Sequence, residues 1–178
     1  MGLYAGARKS AELDIQWRPN NVAGHVNLAR RTFNFNGKRP TTKKRRPIAV
    51  VSQRLRCFLP HWRKKRVRYV IERNGKKLGD VKRGFASACR AAAREFYHKA
   101  MEAKKRGDHD ARHECLESAA RLRSASPNIL RHTCITWLLQ ADYSCWEVGK
   151  FVGDTEATIQ RVYGHHCPSH QARIAGAF

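Results

Sequence analysis

The apolar positions of the chain change period along its length, and those changes outline its elements. Leu3 to Trp17 reads as a turn into a helix: Gly6 supplies a permissive backbone, and Leu13 and Trp17 recur on one face at i, i+4. Pro19, Asn20 and Asn21 then break it. His25 to Leu28 is a short strand. Arg31 to Asn36 alternates through Thr32, Phe33, Asn34 and Phe35 with the period of a half-buried strand, and Pro47 to Val51 supplies a third such run. Asn36-Gly37 marks a turn between the second and third. The pattern predicts a small antiparallel sheet with a lysine-rich hairpin tip.

Ser52 is placed as the N-cap of a helix through Lys64, with Leu55, Phe58, Leu59 and Trp62 as its stripe and Pro60 as an interruption. Val67 to Glu72, Asn74-Gly75 and Leu78 outline a further hairpin. Phe85 to Ala103 is alanine-rich and helical and stops at Gly107. Asp108 caps a second helix through Arg123, so residues 85–123 are expected as a helical hairpin. Ser126-Pro127 opens the next helix, whose apolar stripe of Ile129, Leu130, Thr133, Cys134, Trp137 and Leu138 leaves Arg131 at the edge of the core. Trp146 to Val152 is another helix, ended by Gly153, with Asp154 the N-cap of a last helix from Thr155 to Tyr163. Cys167 to Phe178 is polar, then small and apolar, the pattern of a docking helix. The whole is α+β and mostly helical, and 178 residues bound it to a single domain with a real core.

Charge narrows the partner. Lys and Arg number 36 against 14 Asp and Glu, a formal net charge of +22, which favours a polyanion over a small acidic metabolite. The basic residues accompany several elements, at Lys43, Lys44, Arg45 and Arg46, at Arg63 to Arg66, and at Lys82, Arg83, Lys104, Lys105 and Arg106. Nucleic acid is the leading partner. No apolar run approaches a membrane span and no signal-peptide pattern opens the chain, so a cytoplasmic, nucleoid-associated protein with no membrane partner is expected. The six cysteines form no C-x-x-C pair and are read mostly as small core residues. His165, His166, Cys167 and His170 have no second ligand motif to pair with, and no metal or other cofactor is expected.

The chemistry concentrates near the C-terminus. A half-buried guanidinium such as that of Arg131 needs an anionic partner or a full set of acceptors. An arginine and a tyrosine held apart by two intervening helices point to phosphate chemistry, since a guanidinium clamps phosphoryl oxygens and a phenol can attack phosphorus.

These residues resemble the tyrosine recombinases, or phage-type integrases. In that family the second catalytic arginine lies in an H-x-L-R-H-T helix, followed by leucine-glycine-histidine and then the tyrosine. Here Arg131 is followed 23 residues later by Asp154 and nine further on by Tyr163. Tyr4 to Trp17 looks like the segment of the first catalytic arginine, which places Arg8 in that role. The family's lysine hairpin corresponds to Thr41 to Pro47, where Lys43 is favoured over Lys44, with Lys38 third.

The resemblance implies a recombinase-type catalytic domain, a DNA breaking-rejoining fold, spanning residues 1–178 without the family's N-terminal clamp domain, with residues 85–123 as an expansion. The chain is therefore expected to be truncated or a fragment. It further implies recombination or integration of duplex DNA through a 3′-phosphotyrosyl intermediate on Tyr163. Arg8 and Arg131 would neutralise the phosphate, and Lys43 would protonate the leaving oxygen. Lys38, Arg39, Lys44, Arg45 and Arg46 would hold DNA, and other recombinase protomers would complete a tetramer, with Ser169 to Phe178 as a contact between subunits.

Two positions depart from the pattern. Asn128 stands where the family has histidine, and an amide hydrogen-bonds but takes no proton near neutral pH. Asp154 stands where histidine or tryptophan follows the glycine, and repulsion from phosphate is expected to turn it outward onto its helix as a cap. These departures support an alternative, an impaired or inactive remnant that binds DNA or a partner recombinase without cleaving.

Overall fold

The computed structural model describes residues 1–20, 22–36, 48–65 and 68–167. The chain divides into two units, Met1–Gly79 with Leu130–Phe178, and Asp80–Ile129. The described residues are mostly helical with a small antiparallel sheet, an α+β arrangement. Among them no helix is long and apolar enough to cross a membrane, and no group of three or more His, Cys, Asp or Glu gathers to hold a metal.

The first unit begins with α1 (Gly2–Ala5), which ends at Gly6 in a left-handed conformation, φ 55°. Arg8 is then the N-cap residue of α2 (Lys9–Asp14). This helix stops before the expected Trp17, because residues 15–17 are drawn into extended pairing. Gln16 donates to the Gly24 carbonyl at 2.9 Å and accepts from Val26 at 2.9 Å, while Trp17 donates to Arg68 at 3.0 Å. Trp17 is buried by this distant pairing and not by an i, i+4 stripe.

The expected sheet forms from β1 (His25–Asn27), β2 (Thr32–Asn34) and β3 (Ile48–Val50), all antiparallel. Val26, Phe33 and Ala49 lie in register, so the buried residue of each short strand falls on one row. They pack with Ile15, Trp17, Leu55, Leu59 and Val70 into one core cluster.

Ser52 accepts from the Leu55 N–H at the head of α3 (Gln53–Lys65), at 3.4 Å. Pro60 lies inside this helix rather than interrupting it. Its ring removes the bond that residue 60 would make to the Arg56 carbonyl, but both residues are exposed, where water can take that carbonyl. The hairpin of β4 (Glu72–Arg73) and β5 (Lys76–Lys77) turns on Asn74 and Gly75, both with positive φ, the combination a type I′ turn requires.

The second unit is the hairpin of α4 (Lys82–Lys105) and α5 (His109–Ser124). Gly107 takes φ 73° between them, and the Asp108 carboxylate accepts from the Ala111 N–H at 3.0 Å. Small residues, Cys89, Ala93, Ala100, Ala103 and Ala119, are the buried ones, which lets the two helices approach closely.

Helix α6 (Ile129–Gln140) starts two residues after Pro127, and its buried face differs from the expected stripe. Arg131, Cys134, Ile135 and Leu139 are buried, while Ile129 and Trp137 are exposed. Helix α7 (Cys145–Val152) opens with a reciprocal capping box between Ser144 and Glu147, and α8 (Glu156–Tyr163) runs into a single 3₁₀ turn, Gly164–His166. Ile135, Leu139, Val148, Val152, Ile159 and Tyr163 form a second core cluster, and Phe151 packs against both clusters. The cysteines are less buried than expected. Only Cys89 and Cys134 are in the interior, since Cys57 faces outward on α3 and Cys115, Cys145 and Cys167 are half-buried.

One carboxyl group stands apart. Glu12 has an Oε1 atom that is buried with no hydrogen-bond partner among the described residues. Desolvation pushes its pKa from 4.5 up to about 7, opposed by the terminal ammonium. A carboxyl raised on folding favours the folded state fully below pH 4.5, and that contribution is lost as pH rises through about 7. Glu12→Gln is therefore expected to match the parent near pH 4 and exceed its stability at pH 8 by up to about 3 kcal/mol. All four tryptophans, Trp17, Trp62, Trp137 and Trp146, belong to the first unit, so denaturant unfolding followed by tryptophan fluorescence measures it.

Candidate active site

The site lies in the first unit, where the ends of two helices meet the side of a third. Helix α1 ends at Gly6, α7 ends at Gly153, and α6 passes Arg131 between them. Carbonyls at a helix C-terminus have no partner within the helix and carry the negative end of its dipole, so they suit a guanidinium. Arg131 Nη1 donates to the Gly6 carbonyl and to the Val152 carbonyl, the latter at 2.7 Å. This explains how an arginine occupies the buried face of α6 with only 9% exposure.

Gly6 is the residue that permits this arrangement. A Cβ there would stand 2.6 Å from Val152 Cγ1, and its φ is one that side chains resist. Gly6→Ala is expected to displace the carbonyl that holds Arg131 and to lower stability by roughly 2 kcal/mol, as thermal unfolding would register.

Asp154 occupies the centre of the site. Its Oδ2 atom accepts from Arg131 Nη2 at 3.0 Å and from Arg8 Nη2 at 3.0 Å. Arg8 Nη1 also donates to the Gly153 carbonyl at 3.2 Å. The expectation that Asp154 turns outward as a helix cap is therefore corrected: the N-cap of α8 is Thr155, whose hydroxyl accepts from the Thr158 N–H at 3.2 Å. Two guanidiniums facing one point repel each other and lose water, and a carboxylate between them offsets both costs. Gly149 helps to hold it there. A Cβ on Gly149 would meet the Asp154 carbonyl oxygen at 3.1 Å, and the Gly149 carbonyl accepts the Asp154 N–H at 2.9 Å.

The electrostatics follow from this packing. Burial pulls the Arg131 pKa down, aided by the charge of Arg8, and the Asp154 carboxylate counters both. Tyr163, at the end of α8, is raised above the ordinary phenol value by burial, with Arg131 pulling it down and Asp154 pushing it up. Its ring belongs to the second core cluster and is 9% exposed. Its hydroxyl pairs with Nδ1 of His132, whose ring centroid lies 5.7 Å away.

Arg8, Arg131, Asp154 and Tyr163 thus belong to one electrostatically coupled group. Asn128 is exposed in the turn before α6 and belongs to the second unit. Lys38, Arg39, Lys43, Lys44, Arg45 and Arg46, and the Ser169 to Phe178 tail, lie outside the described residues. His132 is the addition. No apolar period singles it out; its signal in the chain is its place directly after Arg131, at the second histidine of the H-x-L-R-H-T pattern.

Two guanidiniums converging on one oxygen can hold a tetrahedral oxyanion, and a phenol beside them can act as a nucleophile toward it. No family model matches the chain, and neither a curated protein nor a solved structure matches it.

Proposed function

We propose that the chain is a tyrosine-recombinase-like catalytic domain that binds duplex DNA and exchanges strands through a 3′-phosphotyrosyl intermediate on Tyr163. The observation that carries this reading is the convergence of Arg8 and Arg131 on Asp154 Oδ2, with Tyr163 in the same electrostatic field. The carboxylate oxygen stands in for a non-bridging phosphate oxygen. When DNA enters, the two guanidiniums exchange the carboxylate for the scissile phosphate and neutralise the charge that builds as the phenol attacks. Tyr163 displaces the 5′-oxygen, Lys43 supplies that oxygen with a proton, and reversal with a second 5′-hydroxyl rejoins the strand without ATP or metal. Other protomers of the same kind would bring the second duplex. The net charge of +22 suits this partner.

The same carboxylate supports a second reading, a remnant that binds DNA without cleaving, because Asp154 competes with phosphate for both arginines. Asp154→Asn addresses both. It keeps the shape and removes the charge, so duplex affinity rises about tenfold at low salt, less than the ~4 kcal/mol Coulomb limit for charges 4 Å apart at an effective dielectric of 20. The log–log salt slope steepens by roughly 0.9 as the arginines take up one more phosphate. Unchanged affinity and slope would contradict the phosphate site. Tighter binding with no covalent product would favour the remnant.

A further inference from the structure

We propose that His132 is a catalytic residue of this site, the proton acceptor for the Tyr163 hydroxyl; the proposal rests on the strand-transfer reading above. The position is supplied by two helices from distant parts of the chain: His132 is on α6 and Tyr163 ends α8, 31 residues later. Nδ1 of His132 and the phenol oxygen are within hydrogen-bond reach, and the two rings are tilted by 38°, not stacked. A base must meet the proton it takes, and among the described residues this contact is the one made by the Tyr163 hydroxyl.

The other groups near the phenol are committed elsewhere. Arg131 is a cation and accepts nothing, and the Asp154 carboxylate makes no hydrogen bond to the phenol among the described residues, its oxygens meeting Arg8, Arg131 and the Thr155 N–H. Burial disfavours the phenolate, so the nucleophile needs help to lose its proton. His132 is itself exposed, which gives a proton received at Nδ1 a way out to solvent from the opposite nitrogen.

In the step so described, the Tyr163 oxygen forms a bond to phosphorus as its hydrogen passes to His132 Nδ1. The bond from phosphorus to the 5′-oxygen breaks, and that oxygen leaves as a hydroxyl with the proton of Lys43. His132 then releases its proton to water. This requires the tautomer with hydrogen on Nε2 and a free lone pair on Nδ1 in the resting protein.

The test has one arm that depends on strand cleavage and one that does not. In the first, adduct formation on a randomised pool of nicked duplexes is timed for the parent chain and for His132→Gln, which retains hydrogen-bonding capacity but takes no proton. The rate should fall roughly 100-fold, the scale of general-base catalysis. Placing 3,5-difluorotyrosine at position 163, a more acidic phenol, should shrink that loss to under about tenfold, because an acidic nucleophile needs its base less. A purely structural role for His132 would give the same loss with either phenol, and that result, or an unchanged rate in His132→Gln, overturns the proposal. In the second arm, ¹⁵N spectra of histidine-labelled protein should show His132 Nδ1 without hydrogen, a state that relaxes in Tyr163→Phe. A hydrogen on Nδ1 overturns the proposal whether or not the chain cleaves DNA. Absence of any adduct from the parent chain would instead overturn the strand-transfer reading, leaving the ¹⁵N result to decide the pairing.

Discussion

Arg131→Met is expected to unfold the first unit about 3 kcal/mol more easily than the parent and to remove the proposed phosphate binding at the same time. The methionine can fill the space of the side chain, so the loss comes from what the guanidinium leaves behind. The carbonyls of Gly6 and Val152 lose their buried donor, at roughly 1–3 kcal/mol for each unsatisfied group. Asp154 keeps its pair with Arg8, which limits the damage on that side. Set against a total stability of about 5–15 kcal/mol, the change should lower the melting temperature by about 10 °C, read from tryptophan fluorescence. Arg131→Lys should recover little of it, because an ammonium on a flexible stem does not span three acceptors with fixed geometry. A melting temperature within 2 °C of the parent, on the scale of ~2–4 °C per kcal/mol, would show that the guanidinium does not hold the two helix ends together.

That one residue also marks where the sequence becomes hard to read. Hydrophobic periodicity counts arginine as polar and so turns the face of α6 away from it, giving a stripe that includes Ile129 and Trp137. In the fold those two are exposed and Arg131 is buried. The decision is made by carbonyls 125 and 21 residues away, which no local pattern contains. Trp17 is a similar case, buried through pairing with Arg68 and not through the helix before it.

Asp154 and Thr155 are both competent helix caps, and α8 alone does not distinguish them. The two arginines do, by drawing the carboxylate inward and leaving the cap to the threonine. Where a feature depends on neighbouring residues alone, it was legible. Asn74-Gly75 turns its hairpin with two positive φ values, Gly107 and Asp108 separate α4 from α5, and Gly153 ends α7. The spacing of Arg131, Asp154 and Tyr163 was legible for the same reason, since two helices of fixed rise set it. Their grouping with Arg8 was implied by the family resemblance, whereas the contact of Tyr163 with His132 required the tertiary fold.

The reaction proposed for this site leaves a covalent mark, and Tyr163→Phe should erase it completely. The ring would still fill its place in the second core cluster beside Ile159 and Val148, so the fold should persist. Without the hydroxyl no bond to phosphorus can form. Arg8 and Arg131 would continue to bind phosphate, and duplex affinity should stay within about threefold of the parent, or roughly 0.7 kcal/mol.

The direct measurement uses duplexes nicked near a randomised sequence, so that a cleaved fragment diffuses away and traps the intermediate. The account predicts a protein–DNA adduct whose linked peptide contains Tyr163, joined to a 3′-phosphate, and no adduct from Tyr163→Phe. A folded, DNA-bound parent chain that forms no adduct, or an adduct that survives in Tyr163→Phe, would contradict it.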